Sequence, residues 1–367
     1  MKKVGILTFS NAKNYGALLQ AYALKTVLNQ LGNNAHIINF YSPKMQRASK
    51  FFYKYKPTVK WFVKRLFDMV FNPLTQYYNR RCFIPFCRKY IGESAPLFAK
   101  DLPTISSQYD LFITGSDQVF NPRLTEFDTN FFLDFSKDIT KNASYAASFG
   151  FELKDFTEKE KEFIRQNLTH IKYLSVREKQ GEEIIGALAP QQNSQVHLDP
   201  TLLLSGTQWQ KIAEDHVLTQ PYCLVYLLRR DPALVAYANK IARERKWKLL
   251  FISRKLDILC RMPGTRVAPT VEEWVGLFLN AQYVFTNSFH GLAFCVNFNK
   301  PFIVGQLNFA WPASSRLNNL LEITGLQHRV FNPTHPKLYE QEDWAGVNTK
   351  LDRERQKALD YLKIITQ

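Results

Sequence analysis

Strand-length apolar runs alternate with helical stretches along almost the whole chain, in two successive series. The first opens with "KVGILTF" at residue 3, a buried strand. "NYGALLQAYALKTVLNQLG" follows as a loop and a helix, with Leu18, Ala21, Tyr22, Leu24, Val27, Leu28 and Leu31 at helical spacing and Gly32 as its C-cap. Strands are expected at "AHIINF", "YDLFIT", "ASYAASF" and "YLSV", and a helix behind a capping box from Thr157 to Glu160. The second series runs from about residue 205. It places strands at "YCLVYLL", "KLLFI", "YVFT" and "PFIVG" among capped helices, one of them with Asp231 as N-cap and Pro232 at its first position. Steady alternation predicts parallel strands covered by helices. A chain of 367 residues is too long for one ordinary core. The expectation is therefore α/β, two domains facing a cleft: an N-terminal domain over 1–204, a C-terminal domain over 205–345, and a last helix within 346–367 that packs back on the first domain.

Charge breaks this regularity in one place. The net charge is +16, and between Lys44 and Lys89 twelve Lys and Arg face a single acid, Asp68. That segment holds a surplus of eleven positive charges and twelve aromatics, so the basic character belongs to an insertion at 44–89 rather than to the whole surface. Within it, Thr58 to Phe71 can form an amphipathic helix, with Val59, Phe62, Val63, Leu66 and Val70 on one face and Lys54, Lys56, Lys60, Lys64, Arg80 and Arg81 on or around it. Such a helix suits an anionic membrane surface, and it equally suits a core helix with a solvated basic side. No recognition motif accompanies the charge, so nucleic acid is not the expected partner. No apolar run reaches the 18 or so residues of a membrane span, and the N-terminal run reads as a strand rather than a signal peptide. The five cysteines, 82, 87, 223, 260 and 295, include no CxxC, which points to a reducing cytosol and to no metal site.

In parallel α/β folds ligands bind beyond the carboxyl ends of the strands, so the loops there carry the candidates. After the first strand, Asn14, Tyr15 and Gly16 open a helix whose free N–H groups suit an anion or a sugar hydroxyl. After "LFIT", Gly115 permits tight geometry while Ser116, Asp117 and Gln118 offer hydrogen-bonding groups, and Asp117 can take a proton from a hydroxyl. Arg177 stands directly after "YLSV", where a guanidinium can hold a carboxylate or phosphate. "YVFTNSFHGLAF" ends an apolar strand in Asn287 and Ser288 and presents His290 beside Gly291 at a helix start. Histidine titrates near neutrality, and the other six, at 36, 170, 197, 216, 328 and 335, lack this setting. Neither GxxxxGK[ST] nor GxGxxG nor HExxH nor GxSxG occurs.

These segments resemble a known family. "NYGALLQAYAL", "YDLFITGSDQVFNP", "ASYAASFG", "LSVREKQG", "LDPTLLL" and "TNSFHGLAFCVNFNKPFIV" occur in the order found in the polysaccharide pyruvyl transferases, from residue 3 to about 325. The resemblance implies a fold like the GT-B glycosyltransferases, with two Rossmann-like domains. It also implies transfer of pyruvate from phosphoenolpyruvate to a sugar of a surface or capsular polysaccharide or its lipid-linked precursor, as a ketal. It matches His290, Arg177, Asp117 and Asn14 to family positions, with Arg177 facing the donor. With the loop reading above, His290 and Asp117 are the expected catalytic residues, Arg177, Ser288 and Asn287 the expected donor site, and Asn14, Tyr15, Gly16, Gly115, Ser116 and Gln118 the expected acceptor site. Many members carry Arg-x-His where this chain has Ser288-Phe289-His290, so either another cation replaces that arginine, with Arg316 and Arg254 as candidates, or the donor is a different one. Phosphoenolpyruvate enters as a co-substrate, and no cofactor or metal is implied.

Two other functions fit the residues: a GT-B glycosyltransferase using a nucleotide sugar, and a non-catalytic protein binding anionic lipid or nucleic acid through 44–89. The expected place is the cytoplasm, with docking at the inner face of the cell membrane.

Overall fold

A computed structural model describes residues 1–11, 13–44, 77–78, 80–92, 94–214, 220–252, 264–305 and 314–367. Arg254, the helix expected at Thr58–Phe71 and Lys54, Lys56, Lys60 and Lys64 lie outside them.

Two parallel sheets form, one from each series of strands. In the first, β1 (Lys3–Leu7), β2 (Asn34–Ile37), β3 (Leu111–Thr114) and β4 (Asn142–Ser144) run in the order β2-β1-β3-β4. A further pair, β5 (Leu174–Val176) and β6 (Ser194–Val196), joins its edge through the bridges Ala143 to Tyr173 and Ala147 to Val176. In the second, β7 (Tyr222–Tyr226), β8 (Lys248–Ile252), β9 (Thr265–Val267), β10 (Tyr283–Thr286) and β11 (Phe302–Val304) run in the order β11-β10-β7-β8-β9. Each sheet therefore reverses its winding once, between β1 and β3 and between β7 and β10, the places beyond the strand ends where sheets of this kind bind ligands. The loops at those two points are 8–14 with 115–118, and 227–231 with 287–290.

Local chemistry accounts for the helices. Helix α1 (Tyr15–Gln30) starts at Asn14, whose side chain accepts from the Gly16 N–H, and ends before Gly32 at φ 83°. The helix α2 (Glu158–Leu168) has the capping box anticipated between Thr157 and Glu160, and α3 (Lys179–Leu188) follows β5. The short helix α4 (Gly206–Gln210) has a Ser205 capping box, and α5 (Pro232–Glu244) starts at Asp231. The Thr270 box opens α6 (Val271–Asn280), and α7 (Phe289–Asn297) starts at Ser288. Helix α8 (Ser314–Thr324) precedes α9 (Trp344–Thr366), which begins two residues before the expected 346 because the Asp343 side chain caps the Gly346 N–H. Strands β6 and β9 were not anticipated: three residues at an edge carry too few apolar positions to register as a period.

The domains meet across α1 and α6. Tyr15 is fully buried, stacks on Trp274 at 5.7 Å and donates to the Pro269 carbonyl at 2.8 Å. Its neighbour Phe83, at 5.0 Å, comes from the end of the basic insertion. Behind the crossover, α9 clasps both domains. Arg355 Nη2 donates to Asn297 Oδ1 of the C-terminal domain at 3.0 Å, and Tyr361 donates to the Ser144 carbonyl of the N-terminal domain at 2.8 Å.

Candidate active site at the interdomain seam

The winding reversals of the two sheets face each other, and the residues between them are nearly all buried. Asp199 is the centre. It follows β6 at the crossing between domains, where its Oδ1 accepts from the Thr201 N–H at 3.0 Å and hydroxyl at 2.7 Å, capping the turn Pro200–Leu202. Its Oδ2 accepts from Ser116 Oγ at 2.7 Å and from Arg177 Nη1 at 2.8 Å. Arg177 also lies 3.6 Å from Glu178 and 3.9 Å from Asp117, measured between charged atoms. Phe289 covers its guanidinium at 4.8 Å, so the C-terminal domain seals an arginine of the N-terminal domain.

His290 approaches from α7. Its Nε2 stands 3.9 Å from Asp199 Oδ2, too far for a hydrogen bond, and has no other partner although it is buried. The ring lies against Gly16: a Cβ there would fall 2.0 Å from His290 Nδ1. Only glycine permits this contact, which brings the N-termini of α1 and α7 together and aims two positive helix ends at one place. Arg316, on α8, is also buried, its Nε has no partner, and among the described residues no carboxylate lies within ion-pair distance.

Electrostatics follow from this geometry. Burial alone would raise the Asp199 carboxyl, but His290, Arg177 and the Thr201 hydrogen bonds hold it at about 2. Burial pushes His290 below its ordinary value, against the pull of Asp199 and Asp117. His290 is therefore neutral at pH 7, and the charge that then faces Asp199 is Arg177. Burial opposes the charge of Arg177, yet Asp199, Glu178 and Asp117 raise its pKa overall. Arg316 is lowered to about 10 by burial and by the like charge of Arg177. Asp117 sits at φ 80°, a left-handed conformation that costs a non-glycine residue of order 1–3 kcal/mol and clusters at working sites.

The other candidates take varied positions. Asn14 caps α1 and Gly115 packs its Cα toward Thr8, while Gln118 accepts from the Asn121 amide at 2.9 Å. Ser288 caps α7 through the Gly291 N–H. Asn287 has both ends of its amide occupied, by the Leu228 N–H at 2.8 Å and the Arg229 carbonyl at 3.0 Å, and so ties the β10 loop to the β7 loop. Tyr15 is the interdomain pin described above. Sequence reasoning passed over Asp199 and Glu178. Glu178 adjoins Arg177 and accepts from Ser148 Oγ at 2.6 Å. The available signal for Asp199 was its place in "LDPTLLL", an acid before Pro-Thr at a strand end. Among the described residues no group of three or more His, Cys, Asp or Glu is placed to hold a metal ion.

The polysaccharide pyruvyl transferase family model matches residues 14–304. The chain belongs to that family. No curated protein matches it in sequence. Among solved structures it is similar to a protein described as a UDP-N-acetylglucosamine 2-epimerase from Listeria monocytogenes, at TM-score 0.52 and 11% identity over 99% of this chain and 90% of that one. The UDP-GlcNAc 2-epimerase of Methanocaldococcus jannaschii gives TM-score 0.50 and 13% identity over 95% and 98%. At such identities the likeness is one of fold, and the fold is the GT-B type expected. Among the described residues no helix is long and apolar enough to cross a membrane.

Proposed function

We propose that this pyruvyl transferase family member takes pyruvate from phosphoenolpyruvate and places it as a ketal on a sugar of a surface polysaccharide or its lipid-linked precursor. The observation that carries the proposal is the unpartnered Nε2 of a neutral, buried His290 facing the Asp199–Arg177 pair. A neutral imidazole can take up a proton, and the carboxylate beside it stabilises the imidazolium that forms.

The reaction needs a proton on the terminal carbon of the enol, which leaves an oxocarbenium-like centre at C2. A sugar hydroxyl adds to C2 and gives its proton to His290. The C2–O bond to phosphate breaks, and a second hydroxyl adds to C2 and closes the ring. Of the two hydroxyl protons, one balances the new methyl group and the other leaves with phosphate. Asp117, Ser116 and Gln118, with Asn14 and Gly115 beside them, orient the acceptor in this reading.

Arg177 is largely occupied by the protein's own carboxylates. Among the described residues Arg316 is then the cation offered to the anionic donor, doing the work of the arginine that other members carry where Ser288 stands. The ends of α1 and α7 add partial positive charge.

Incubation with phosphoenolpyruvate and a panel of lipid-linked sugars, followed by phosphate release, tests the proposal. Absence of phosphate release across the panel would sink it. Turnover of a nucleotide sugar instead would make the chain a glycosyltransferase.

A lipid-linked acceptor makes membrane docking useful, and the end of the basic insertion exposes Arg80, Arg81, Arg88 and Lys89 with Tyr77 and Ile84. Each basic residue near an anionic leaflet contributes about 1 kcal/mol. Flotation with anionic vesicles that fails equally at low and high salt refutes docking.

A further inference from the structure

We propose that a cavity in the N-terminal domain, beside the seam, is a second saccharide subsite that holds the sugar next to the one that reacts. The proposal rests on the seam being a sugar-modifying site and narrows its acceptor to an oligosaccharide. The cavity measures about 300 Å³ and lies beyond the carboxyl ends of β1 and β2. Its polar lining is Ser10, Asn11, Asn39, Tyr41 and Ser94, with Arg88, and no carboxylate is among its lining residues. Ile37, Ile84, Cys87 and Ile91 form apolar wall beside them. Amides and hydroxyls next to apolar surface match a sugar, which offers hydroxyls at its rim and C–H groups on its faces.

Three features mark this cavity as built. First, its amides are fixed. Asn11 Nδ2 donates to Asn39 Oδ1 and to the Phe40 carbonyl, both at 3.0 Å, and Asn39 Nδ2 donates to the Ser94 carbonyl at 2.6 Å. Second, one wall is a π-helical turn, Cys87–Ile91, a rare form that is frequent at functional sites. It ends at Gly92 with φ 110°. Third, a lysine is spent on holding that turn. Lys25 reaches out of α1 to the Tyr90 and Ile91 carbonyls at 3.1 and 3.0 Å, and burial lowers its pKa. A strongly hydrated ammonium is a costly choice for a purely structural bond.

The cavity and the seam share one loop. Asn11 lines the cavity, and Asn14 opens the helix whose Gly16 touches His290. The five residues of chain from Asn11 to Gly16 span at most about 18 Å, within the reach of a short oligosaccharide.

The test is methyl NMR of the full chain without phosphoenolpyruvate. Ile37, Ile84 and Ile91 report the wall. Cellobiose, maltose, lactose and N,N′-diacetylchitobiose are titrated against their monosaccharides. At least one disaccharide should shift these three methyls and bind about tenfold more tightly than its monosaccharide. Asn39→Ala should weaken that binding about tenfold, and so should Cys87→Phe, which fills the wall without touching the amide chain. The Ile303 methyl, in the other sheet, should stay in place in both variants and so confirm the fold. No shift at the three isoleucines with any disaccharide overturns the subsite, as does binding that both folded variants leave unchanged. Binding here with no phosphate release from phosphoenolpyruvate keeps the subsite and removes the pyruvyl reaction. Equal KM for mono- and disaccharide acceptors does the reverse.

Discussion

Two buried histidines, His197 and His290, do opposite jobs. Both are held neutral by burial. His197 Nδ1 is hydrogen-bonded to Ser175 Oγ at 2.8 Å, its ring lies 4.6 Å from Tyr361 and 6.1 Å from Tyr145, and the charge acting on it is the cation Lys357. His290 has an unpartnered Nε2 and faces the carboxylate of Asp199. A depressed pKa therefore says only that a histidine is buried. What separates a packing residue from a reacting one is an open ring nitrogen and a neighbour that favours the charged form.

The largest expected effect comes from removing the carboxylate that makes the difference. Asp199→Asn leaves Arg177 without its closest counter-charge, and breaking a buried pair on one side costs roughly 3–5 kcal/mol. Thermal or denaturant unfolding measures it. A variant as stable as the parent would mean that Glu178 and Asp117 suffice for Arg177.

His197 gives the next effect. Its folded pKa is about 4, against about 6.5 for an unfolded histidine. The unfolded chain then binds the proton first as pH falls. The stabilisation is complete above about pH 6.5 and is lost progressively down to about 4, roughly 3 kcal/mol in all. His197→Phe should flatten that slope in unfolding measured across the window. An unchanged slope would assign the acid sensitivity elsewhere.

The comparison breaks most simply on activity. His290→Ala should keep the fold and lose on the order of 10²-fold or more in kcat, while His197→Ala should lose stability and keep its turnover. Comparable kcat losses in both would erase the distinction. The acid limb of the kcat/KM profile should fall below pH 6.5, since burial lowers His290. The smallest effect is at Arg316. Arg316→Ala should weaken donor binding by roughly 1.5–3 kcal/mol, read as a raised donor KM. Unchanged donor KM and kcat would hand the anion to another cation.

Much of this was legible beforehand because it is local. The capping box at Thr157, the Asp231–Pro232 helix start and the strand at Tyr283–Thr286 are set by neighbours within four residues. Strand-end position was also enough to single out His290, Arg177, Asp117 and Ser116, which the fold gathers at one seam. Asp199 was not, since an aspartate before proline reads as a turn until Arg177 and Ser116 arrive from other strands.

The sequence by itself determined two parallel α/β domains and the loops that end their strands, because periodicity, caps and strand ends act over a few residues. Tertiary structure alone decided which of those residues meet. His290 touches Gly16, 274 positions earlier, through a contact that only a missing Cβ allows. It also decided that Tyr15 pins the domains rather than facing the crevice, and that Lys25 braces the π turn of the cavity. Burial and charge pairing are properties of the assembled domains, so the protonation states on which the chemistry depends exist only once the two sheets face each other.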